Sequence, residues 1–342
     1  MKIIIPMAGV GSRLRPHTLT IPKPLTVIAG KTIVERLLEE IKTVVGQQVT
    51  DIGFIIGPVT KGFPESTSDD LKAIAESLGA TGHVFVQEHA LGTAHAIHQA
   101  RTLLDGPVVV AFADTIFKAD FTLDNTYDGV IWVKKIDNPE KFGVVKLSDG
   151  VITDFIEKPT EFVSDLAIIG IYYFKEGQQL QLEIDHLIDH NITGKGGEYQ
   201  LTDALENMRI KGLKFVPGTV NDWMDSGFRE ATIETNQKVL MYEMQAGKSL
   251  VSETVKSDNS QIIPPCYIGK DVVLQNSKIG PYVSIGEGTT IINSTVSNTM
   301  IQNKSVIQHA TIKDSMIGNH VKYDGRFTSV SLGDYSELTL DE

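Results

Sequence analysis

The chain has 342 residues, 41% of them hydrophobic and 22% charged, which is typical of a globular protein of about two domains. Its 31 lysines and arginines against 43 aspartates and glutamates give a net charge of −12, which makes a general DNA or RNA binder a poor candidate but leaves room for a local basic pocket for a small phosphate ligand. The single cysteine, Cys266, excludes an internal disulfide framework and a cysteine-cluster zinc site.

The first apolar run, Met1 to Ile5, is broken by Pro6 and Gly9. It is shorter than the core of a signal peptide, which needs about 7–15 apolar residues. No other stretch approaches the roughly 20 apolar residues that span a bilayer. We therefore expect a cytoplasmic protein with no membrane partner, and we expect the first run to be a buried strand.

Short β-rich apolar runs alternate with longer helical patterns from residue 1 to about 245. Such alternation favours an α/β domain with a parallel or mixed sheet covered by helices on both faces. The predicted strands are Lys2–Pro6, Ile52–Ile56, His83–Gln87, Val108–Ala113, Gly129–Lys134, Gly143–Leu147, Ile168–Phe174 and Leu213–Val216. The predicted helices are Thr32–Val45, Ser68–Leu78, Thr93–Leu103, Gln178–Asn191 and Ser226–Gln245.

A different rhythm begins near residue 262, where an apolar, mostly β-branched residue recurs every five or six positions. This period is typical of a parallel β-helix, in which each repeat forms one face of a coil and the apolar residue fills its interior. We predict a catalytic domain over 1–245 and a linker with a β-helix over 246–342. The ladder consists of Ile268, Leu274, Ile279, Ile285, Ile291, Val296, Ile301, Ile307, Ile312 and Ile317.

A glycine-rich loop, Met7 to Pro16, directly follows the first strand, and backbone N–H groups in such a loop can approach a phosphate closely. A dinucleotide-binding fingerprint is disfavoured because Leu14 stands where a third glycine or alanine belongs. A P-loop is disfavoured because Gly11-Ser12-Arg13 replaces Gly-Lys-Ser/Thr. A purely structural turn would not need the surrounding cations Arg13, Arg15 and Lys23.

The wider pattern, Ala8-Gly9-x-Gly11-Ser12-Arg13-Leu14-x-Pro16-x-Thr18 followed by Pro22-Lys23-Pro24-Leu25, resembles the signature of the sugar-1-phosphate nucleotidylyltransferases. The resemblance covers essentially the whole chain, because further motifs follow in the family's order. They are Gln87-Glu88-x-x-Leu91-Gly92-Thr93-Ala94, Asp114, Phe142-Gly143-Val144-Val145, Glu157-Lys158-Pro159, Glu198-Tyr199-Gln200-Leu201-Thr202-Asp203 and Trp223-x-Asp225-x-Gly227.

This resemblance implies a Rossmann-like, GT-A-like nucleotidyltransferase domain followed by a left-handed β-helix, closest in layout to glucose-1-phosphate thymidylyltransferases with such a tail. It also implies the roles of individual residues. Arg13 and Lys23 would be catalytic, and Asp114 and Asp225 would bind Mg²⁺. The nucleotide would contact Ala8, Gly9, Gly11, Ser12, Gln87, Gly92 and Thr93, and the sugar phosphate would contact Gly143, Glu157, Lys158 and Gly170.

These roles fit the chemistry, because in-line transfer at the α-phosphorus depends mainly on positioning and on neutralising charge. The expected partners are a nucleoside triphosphate and a sugar 1-phosphate, without nucleic acid. The attacking phosphate oxygen is already ionised at neutral pH, so no general base is required. His89, His95 and His98 are interpreted as surface or hydrogen-bonded histidines and not as a metal cluster.

Several alternatives remain open on the sequence. Gln87 and the Gly92 backbone suit thymine or uracil, so dTTP with glucose 1-phosphate is preferred, followed by UTP with glucose or N-acetylglucosamine 1-phosphate and by GTP with mannose 1-phosphate. A non-catalytic regulatory relative would typically lose the motif lysine or the aspartates, which are present here. An acetyltransferase activity of the β-helix is disfavoured because the repeat is short. We expect instead that the β-helix serves assembly into a homo-oligomer.

Overall fold

The computed structural model describes residues 1–326, so the end of the predicted segment 246–342, from 327 on, lies outside the described residues. Six α-helices follow one another within residues 1–326. They are α1 (Ile33–Val45), α2 (Thr67–Ser77), α3 (Thr93–Gln99), α4 (Gly177–Asp189), α5 (Leu201–Ile210) and α6 (Arg229–Gln245). The strands before α6 are β1 (Lys2–Pro6), β2 (Val27–Ile28), β3 (Lys31–Thr32), β4 (Asp51–Ile56), β5 (Thr81–Val86), β6 (Val108–Ala111), β7 (Thr115–Lys118), β8 (Gly129–Lys135), β9 (Gly143–Ser148), β10 (Val151–Glu157), β11 (Leu166–Phe174), β12 (Phe215–Thr219) and β13 (Asp222–Asp225).

The chain forms two compact units, which are not two consecutive segments. The first unit contains residues 1–10 and 34–223, and the second contains Gly11–Ile33 and the chain from Met224 onward. The sequence rhythm changes near 245, whereas the contacts divide the chain before α6. The difference arises because residues 11–33 and α6 pack with the β-helix, as described below.

A nine-stranded mixed sheet forms the first unit, in the order β10-β9-β11-β6-β1-β4-β5, with β8 beside β11 and β12 beside β8. Strands β6, β1, β4 and β5 are parallel, as is the pair β8 and β12, and this part matches the predicted parallel arrangement. Strand β11 runs antiparallel to β6, β8 and β9. The expectation of an α/β domain with a mixed sheet is confirmed, and a purely parallel sheet is wrong.

The antiparallel part begins with a hairpin that the strand list in the sequence analysis lacks. Strands β9 and β10 pair antiparallel, and the two residues between them, Asp149 and Gly150, have φ angles of 51° and 78°. Two residues with positive φ form the tight turn whose twist matches a β-hairpin. This hairpin places Gly143 opposite Glu157, the two ends of the predicted sugar-phosphate segment.

The second unit contains a parallel β-helix, which confirms the interpretation of the six-residue rhythm. Eight of the ten predicted ladder residues are at most 2% exposed and form one apolar core, with Ile312 and Ile317 partly buried beside it. Each coil returns after 17 or 16 residues, as the corner bonds Asn259–Asn276 and Asn293–His309 show. Its strands are β14 (Lys256–Asp258), β15 (Gln261–Ile262), β16 (Cys266–Ile268), β17 (Val273–Gln275), β18 (Lys278–Ile279), β19 (Val283–Ile285), β20 (Thr290–Ile292), β21 (Thr295–Ile301), β22 (Val306–Gln308), β23 (Thr311–Ile317) and β24 (Lys322–Asp324).

Helix α6 joins this β-helix through a polar face. Asn236 is fully buried, its Oδ1 accepts a hydrogen bond from Ser284 Oγ (2.6 Å), and its Nδ2 donates to Tyr282 O (3.4 Å). The neighbouring Gln237 Nε2 donates to Asn298 Oδ1 (2.6 Å). Since buried polar groups are costly unless paired, these bonds specify how the helix seats on the coils.

Residues 11–33 also rest on the β-helix. Strands β2 and β3 form a small hairpin around Ala29 and Gly30. The Val27 carbonyl accepts a hydrogen bond from Gln302 Nε2 (3.1 Å), and a Cβ at Gly30 would overlap the ring of Tyr267. The signature loop is therefore anchored by the coils at its C-terminal end. Among residues 1–326, no helix is long and apolar enough to cross a membrane.

Candidate functional site

The glycine loop is divided between the two units. Ala8 and Gly9 follow β1 in the first unit, where Met7 N donates to Ile55 O (2.8 Å) and holds the strand end in place. Gly11 and Ser12 belong to the second unit, and Gly11 starts a short 3₁₀ turn over Ser12–Leu14 with a positive φ of 63°. The two halves of the loop are therefore held by different supports.

Lys23 is the buried cation of the second unit, with a side chain only 8% exposed. It opens a second 3₁₀ turn, Lys23–Leu25, and packs against the Gly11 backbone, since a Cβ at Gly11 would lie 2.9 Å from Lys23 Cβ. Thr18 Oγ1 donates to Gly11 O (2.7 Å) and closes the loop between them. The loop thus holds a buried lysine whose Cβ lies beside its glycine turn, and a cation close to such a turn suits a phosphate ligand.

Asp225 and Arg13 meet at Gly227. A Cβ at Gly227 would lie 3.0 and 3.1 Å from the two carboxylate oxygens of Asp225 and 3.2 Å from Arg13 Nη2, so a larger residue would crowd both groups. Gly227 N donates to Asp225 Oδ1 (2.9 Å), and Thr235 Oγ1 donates to Asp225 O (2.6 Å). Because α6 begins only at Arg229, Asp225 does not cap that helix. A carboxylate and a guanidinium therefore face the same small space.

Gln87 and Gly92 are joined by a hydrogen bond in the first unit. Gln87 is 5% exposed at the end of β5, and its Nε2 donates to His95 Nδ1 (3.0 Å) and to Gly92 O (3.4 Å). No hydrogen bond among the described residues uses Gln87 Oε1 or the Gly92 N–H. The two free groups together offer an acceptor and a donor to a ligand.

Glycine is required at 92, because its φ of 116° is unfavourable for other residues and a Cβ there would lie 2.7 Å from Tyr199 N. Tyr199 clamps this turn from both sides, since Tyr199 N donates to Leu91 O (2.8 Å) and Ala94 N donates to Tyr199 O (2.9 Å). Thr93 Oγ1 accepts from Leu201 N (2.9 Å). The Thr93 hydroxyl thus fixes the start of α5 to the Gly92 turn. The motif at 198–203 therefore supports that turn.

Asp114 lies in the turn after β6 and precedes β7, so it does not cap a helix. The turn is fixed by two backbone bonds, from Phe112 N to Gly170 O (2.9 Å) and from Ala113 N to Pro6 O (3.4 Å). Gly170, at a register shift of β11, therefore supports the turn that carries Asp114. The sequence pattern had placed Gly170 at the sugar phosphate.

Glu157, at the end of β10, is held in place by two neighbouring side chains. Thr202 Oγ1 donates to Glu157 Oε2 (2.6 Å), and Lys158 Nζ lies 3.5 Å from Glu157 Oε1. Burial and the charge of Glu157 raise the pKa of Asp203. Burial, Glu157 and Asp114 together raise the pKa of the Tyr172 phenol, so both carboxylates act on one buried ring.

The chain belongs to the nucleotidyl transferase family, whose model matches residues 2–241. It is 27% identical to the glucose-1-phosphate thymidylyltransferase of Streptomyces antibioticus over 99% of both chains. It is 27% identical to the bifunctional protein GlmU of Methanococcus vannielii, over 94% of this chain and 79% of the relative. These relatives place it among the sugar-1-phosphate nucleotidyltransferases, which confirms the resemblance carried by the motifs.

A solved structure of a UDP-glucose pyrophosphorylase with bound UDP-glucose shares the fold. Its TM-score is 0.57 at 24% identity, and the match covers 70% of this chain and 98% of the other. A glucose-1-phosphate thymidylyltransferase from Bacillus anthracis has a TM-score of 0.56 at 24% identity and covers 69% of this chain and 94% of the other. This likeness supports the predicted nucleotidyltransferase fold.

Proposed function

We propose that the protein transfers a nucleotidyl group from dTTP, or from UTP, to glucose 1-phosphate and releases pyrophosphate. The observation that carries the choice of base is that Gln87 Oε1 and the Gly92 N–H, on two residues bonded to each other, are used by no hydrogen bond within residues 1–326. Thymine and uracil present an N–H donor beside a carbonyl acceptor, which complements this pair. Guanine also presents an N–H donor beside a carbonyl acceptor, but on a larger ring system. The test must therefore include GTP as the alternative.

The transfer reaction requires positive charge near the phosphates more than it requires a general base. An oxygen of the sugar phosphate attacks the α-phosphorus, a new P–O bond forms, and the bond to the β-phosphate breaks as pyrophosphate leaves. Arg13 and Lys23 are proposed to stabilise the charge on the transferred and leaving phosphates. Lys158, half exposed beside Glu157, is proposed to hold the incoming sugar phosphate.

Asp114 and Asp225 are proposed to bind Mg²⁺, which favours one or two carboxylates together with substrate phosphate oxygens. Within residues 1–326 no group of three or more acidic, histidine or cysteine side chains could hold a metal alone. Two carboxylates would leave the remaining coordination positions of the ion to triphosphate oxygens and water. When bound, Mg²⁺ would neutralise charge on the phosphates.

The test is pyrophosphate release from dTTP, UTP, GTP, CTP and ATP, each against glucose, N-acetylglucosamine and mannose 1-phosphates. We expect turnover with dTTP or UTP and glucose 1-phosphate, its loss on adding EDTA, and its return with Mg²⁺. Nucleotide binding without turnover for any pair would instead indicate a non-catalytic regulatory protein.

Charge-removing variants test the individual roles. Asp114→Asn and Asp225→Asn should each lower kcat by more than about a hundredfold while retaining the fold, because the amide keeps the shape and the Gly227 contact. Asp124→Asn is the matched control, because this exposed side chain bonds to Thr126 and, within residues 1–326, to no other residue. Near-normal activity of either ligand variant at all Mg²⁺ concentrations would remove that residue from the metal site.

Lys158→Ala separates the two substrates. We expect it to raise the KM for the sugar 1-phosphate at least about tenfold, because a charge-assisted bond is lost, and to leave triphosphate affinity close to wild type. Lys146→Ala, an exposed lysine on β9, is the control. An equal loss of triphosphate affinity, measured by calorimetry, would contradict the assignment.

A further inference from the structure

The amide of Gln87 uses its two ends differently. Both recorded hydrogen bonds of this side chain leave from Nε2, one to His95 Nδ1 (3.0 Å) and one to Gly92 O (3.4 Å). A backbone carbonyl can only accept, so the end of the amide that faces Gly92 O must be the NH₂ group. The oxygen end consequently points away from these two partners.

This orientation of the Gln87 amide determines the protonation state and tautomer of the His95 ring. A ring nitrogen that accepts from an amide NH₂ carries no proton, so His95 must be neutral with its proton on Nε2. The ring is half-buried on α3 and stacks on Tyr199, with centroids 6.5 Å apart and planes 27° apart. Gln99 Nε2, one turn further along α3, donates to His95 O (3.1 Å) and lies 3.4 Å from His95 Nε2. This contact is longer than the 3.0 Å contact at Nδ1, so we assign the tautomer from the contact at Nδ1. The ring is therefore held on three sides.

The electrostatic surroundings favour the neutral ring. Burial, followed by the charges of His98 and His89, lowers the pKa of His95. His98 is itself paired with Asp185 of α4 (3.2 Å), and the Tyr199 phenol donates to Asn191 Oδ1 (2.7 Å). Among the described residues no carboxylate pairs with the His95 ring, so nothing there favours its protonated form.

We propose that His95 is a specificity-determining, positioning residue that locks the Gln87 amide with its oxygen towards the base. A fixed acceptor selects a base whose edge donates a proton, such as the N3–H of thymine or uracil, and rejects cytosine, whose N3 only accepts. This inference rests on the proposed function and adds how the base is chosen. His95 acts through Gln87 and does not itself touch the substrate.

The lock opens when His95 is protonated. Its Nδ1–H then becomes a donor, the Gln87 amide gives up its long bond to Gly92 O (3.4 Å) and turns its oxygen towards the ring, and an NH₂ group faces the base. The sign follows from the lowered pKa, because the neutral ring persists at neutral pH and is lost only as the pH falls below about 6.5. The KM for dTTP should therefore rise on acidification, while the KM for CTP should not.

Three variants test the lock. His95→Phe keeps a ring against Tyr199 but removes the acceptor, His95→Asn restores an acceptor that does not titrate, and His98→Phe is the control on the same helix. Discrimination between dTTP and CTP, measured as the ratio of kcat/KM, should fall at least about tenfold in His95→Phe, mainly through KM. His95→Asn should keep the discrimination, and should also keep it as the pH falls below about 6.5. His98→Phe should keep the discrimination at neutral pH and still lose it on acidification, at a somewhat higher pH because the charge of His98 no longer lowers the pKa of His95.

A readout that needs no turnover completes the test. Long-range ¹H–¹⁵N spectra distinguish the histidine tautomers, and the signal among the nine histidines that disappears in His95→Phe belongs to His95. An Nε2–H tautomer is expected in the nucleotide-free protein, and an Nδ1–H tautomer overturns the inference. Turnover of dTTP with unchanged discrimination in His95→Phe overturns the inference alone. A wild-type protein that binds no triphosphate overturns it together with the proposed function.

Discussion

Replacing Asn236 by alanine tests whether the polar face of α6 specifies its seat on the β-helix. Asn236 is fully buried, and the Ser284 hydroxyl that donates to it is only 6% exposed. The substitution leaves that hydroxyl without its acceptor and Tyr282 O without its Nδ2 donor. Because water cannot easily replace these partners, the local structure should be destabilised.

The magnitude follows from the two bonds. A buried polar group left unpaired costs about 1–3 kcal/mol, and the bond at 2.6 Å should dominate over the weak one at 3.4 Å. We expect a loss of about 2 kcal/mol for Asn236→Ala. Ser284→Ala should cost a similar amount. The double variant should cost less than the sum by about 1 kcal/mol, because neither partner of the 2.6 Å bond is then left orphaned, although Tyr282 O still lacks its donor.

Hydrogen exchange followed by mass spectrometry measures this loss where it occurs. Amides of α6 and of β19 should exchange about thirtyfold faster in Asn236→Ala, which corresponds to about 2 kcal/mol. Both tryptophans, Trp132 and Trp223, belong to the first unit, so their fluorescence is an internal control that should not change.

Gln237→Ala is the matched variant, since its bond to Asn298 is half exposed and should contribute less than about 1 kcal/mol. Additive effects of the Asn236 and Ser284 substitutions, within about 0.5 kcal/mol, would show that the two side chains do not interact. An equal loss in Gln237→Ala would show that any polar substitution on this face has the same effect. Either result would refute the specific pairing.

Three further outcomes are expected. Gly92→Ala should reduce kcat/KM for the triphosphate at least about a hundredfold, because the new Cβ displaces the turn clamped by Tyr199; wild-type kinetics would exclude this rigid turn. Thr202→Val should raise the KM for the sugar 1-phosphate about tenfold by releasing Glu157, with the triphosphate KM as the control. Burial raises the pKa of the Cys266 thiol to about 11. Alkylation of this thiol at about pH 8 should therefore be at least about a hundredfold slower in the folded than in the unfolded protein. Rapid labelling of the native state would contradict the buried placement.

Patterns with a strong period were predicted well. The β-helix ladder was predictable because each interior residue must be apolar at a fixed interval, and Ile268, Ile285 and Ile307 are fully buried as that rule requires. Helix α6 was also predicted, although its buried face carries Thr232, Thr235 and Asn236. The sequence could not reveal what this face contacts, because polar residues at helical spacing normally indicate exposure.

Antiparallel pairing and side-chain networks were harder to predict. The β9–β10 hairpin was missed, although Asp149-Gly150 is a recognised turn signal. The motifs indicated Gln87 and Gly92, but the partnership with His95 depends on a contact between a strand end and a helix, which spacing does not encode. Gly170 and Thr93 lie close to predicted roles, yet their recorded bonds support neighbouring segments. The metal, the homo-oligomer and the cytoplasmic location stay predictions.

The anchoring of the 27–30 hairpin by Gln302 and Tyr267 has a consequence for how such chains exchange parts. A β-helix taken from a relative would carry side chains that fit a different hairpin. The segment that follows Lys23 would then lose its contacts with the residues at 267 and 302. Recombination at the apparent boundary near 245 should therefore yield poorly active chimaeras unless the hairpin travels with its coils. In related chains the residues at 27–30 are expected to vary together with those at 267 and 302, although more than 200 positions separate them along the chain.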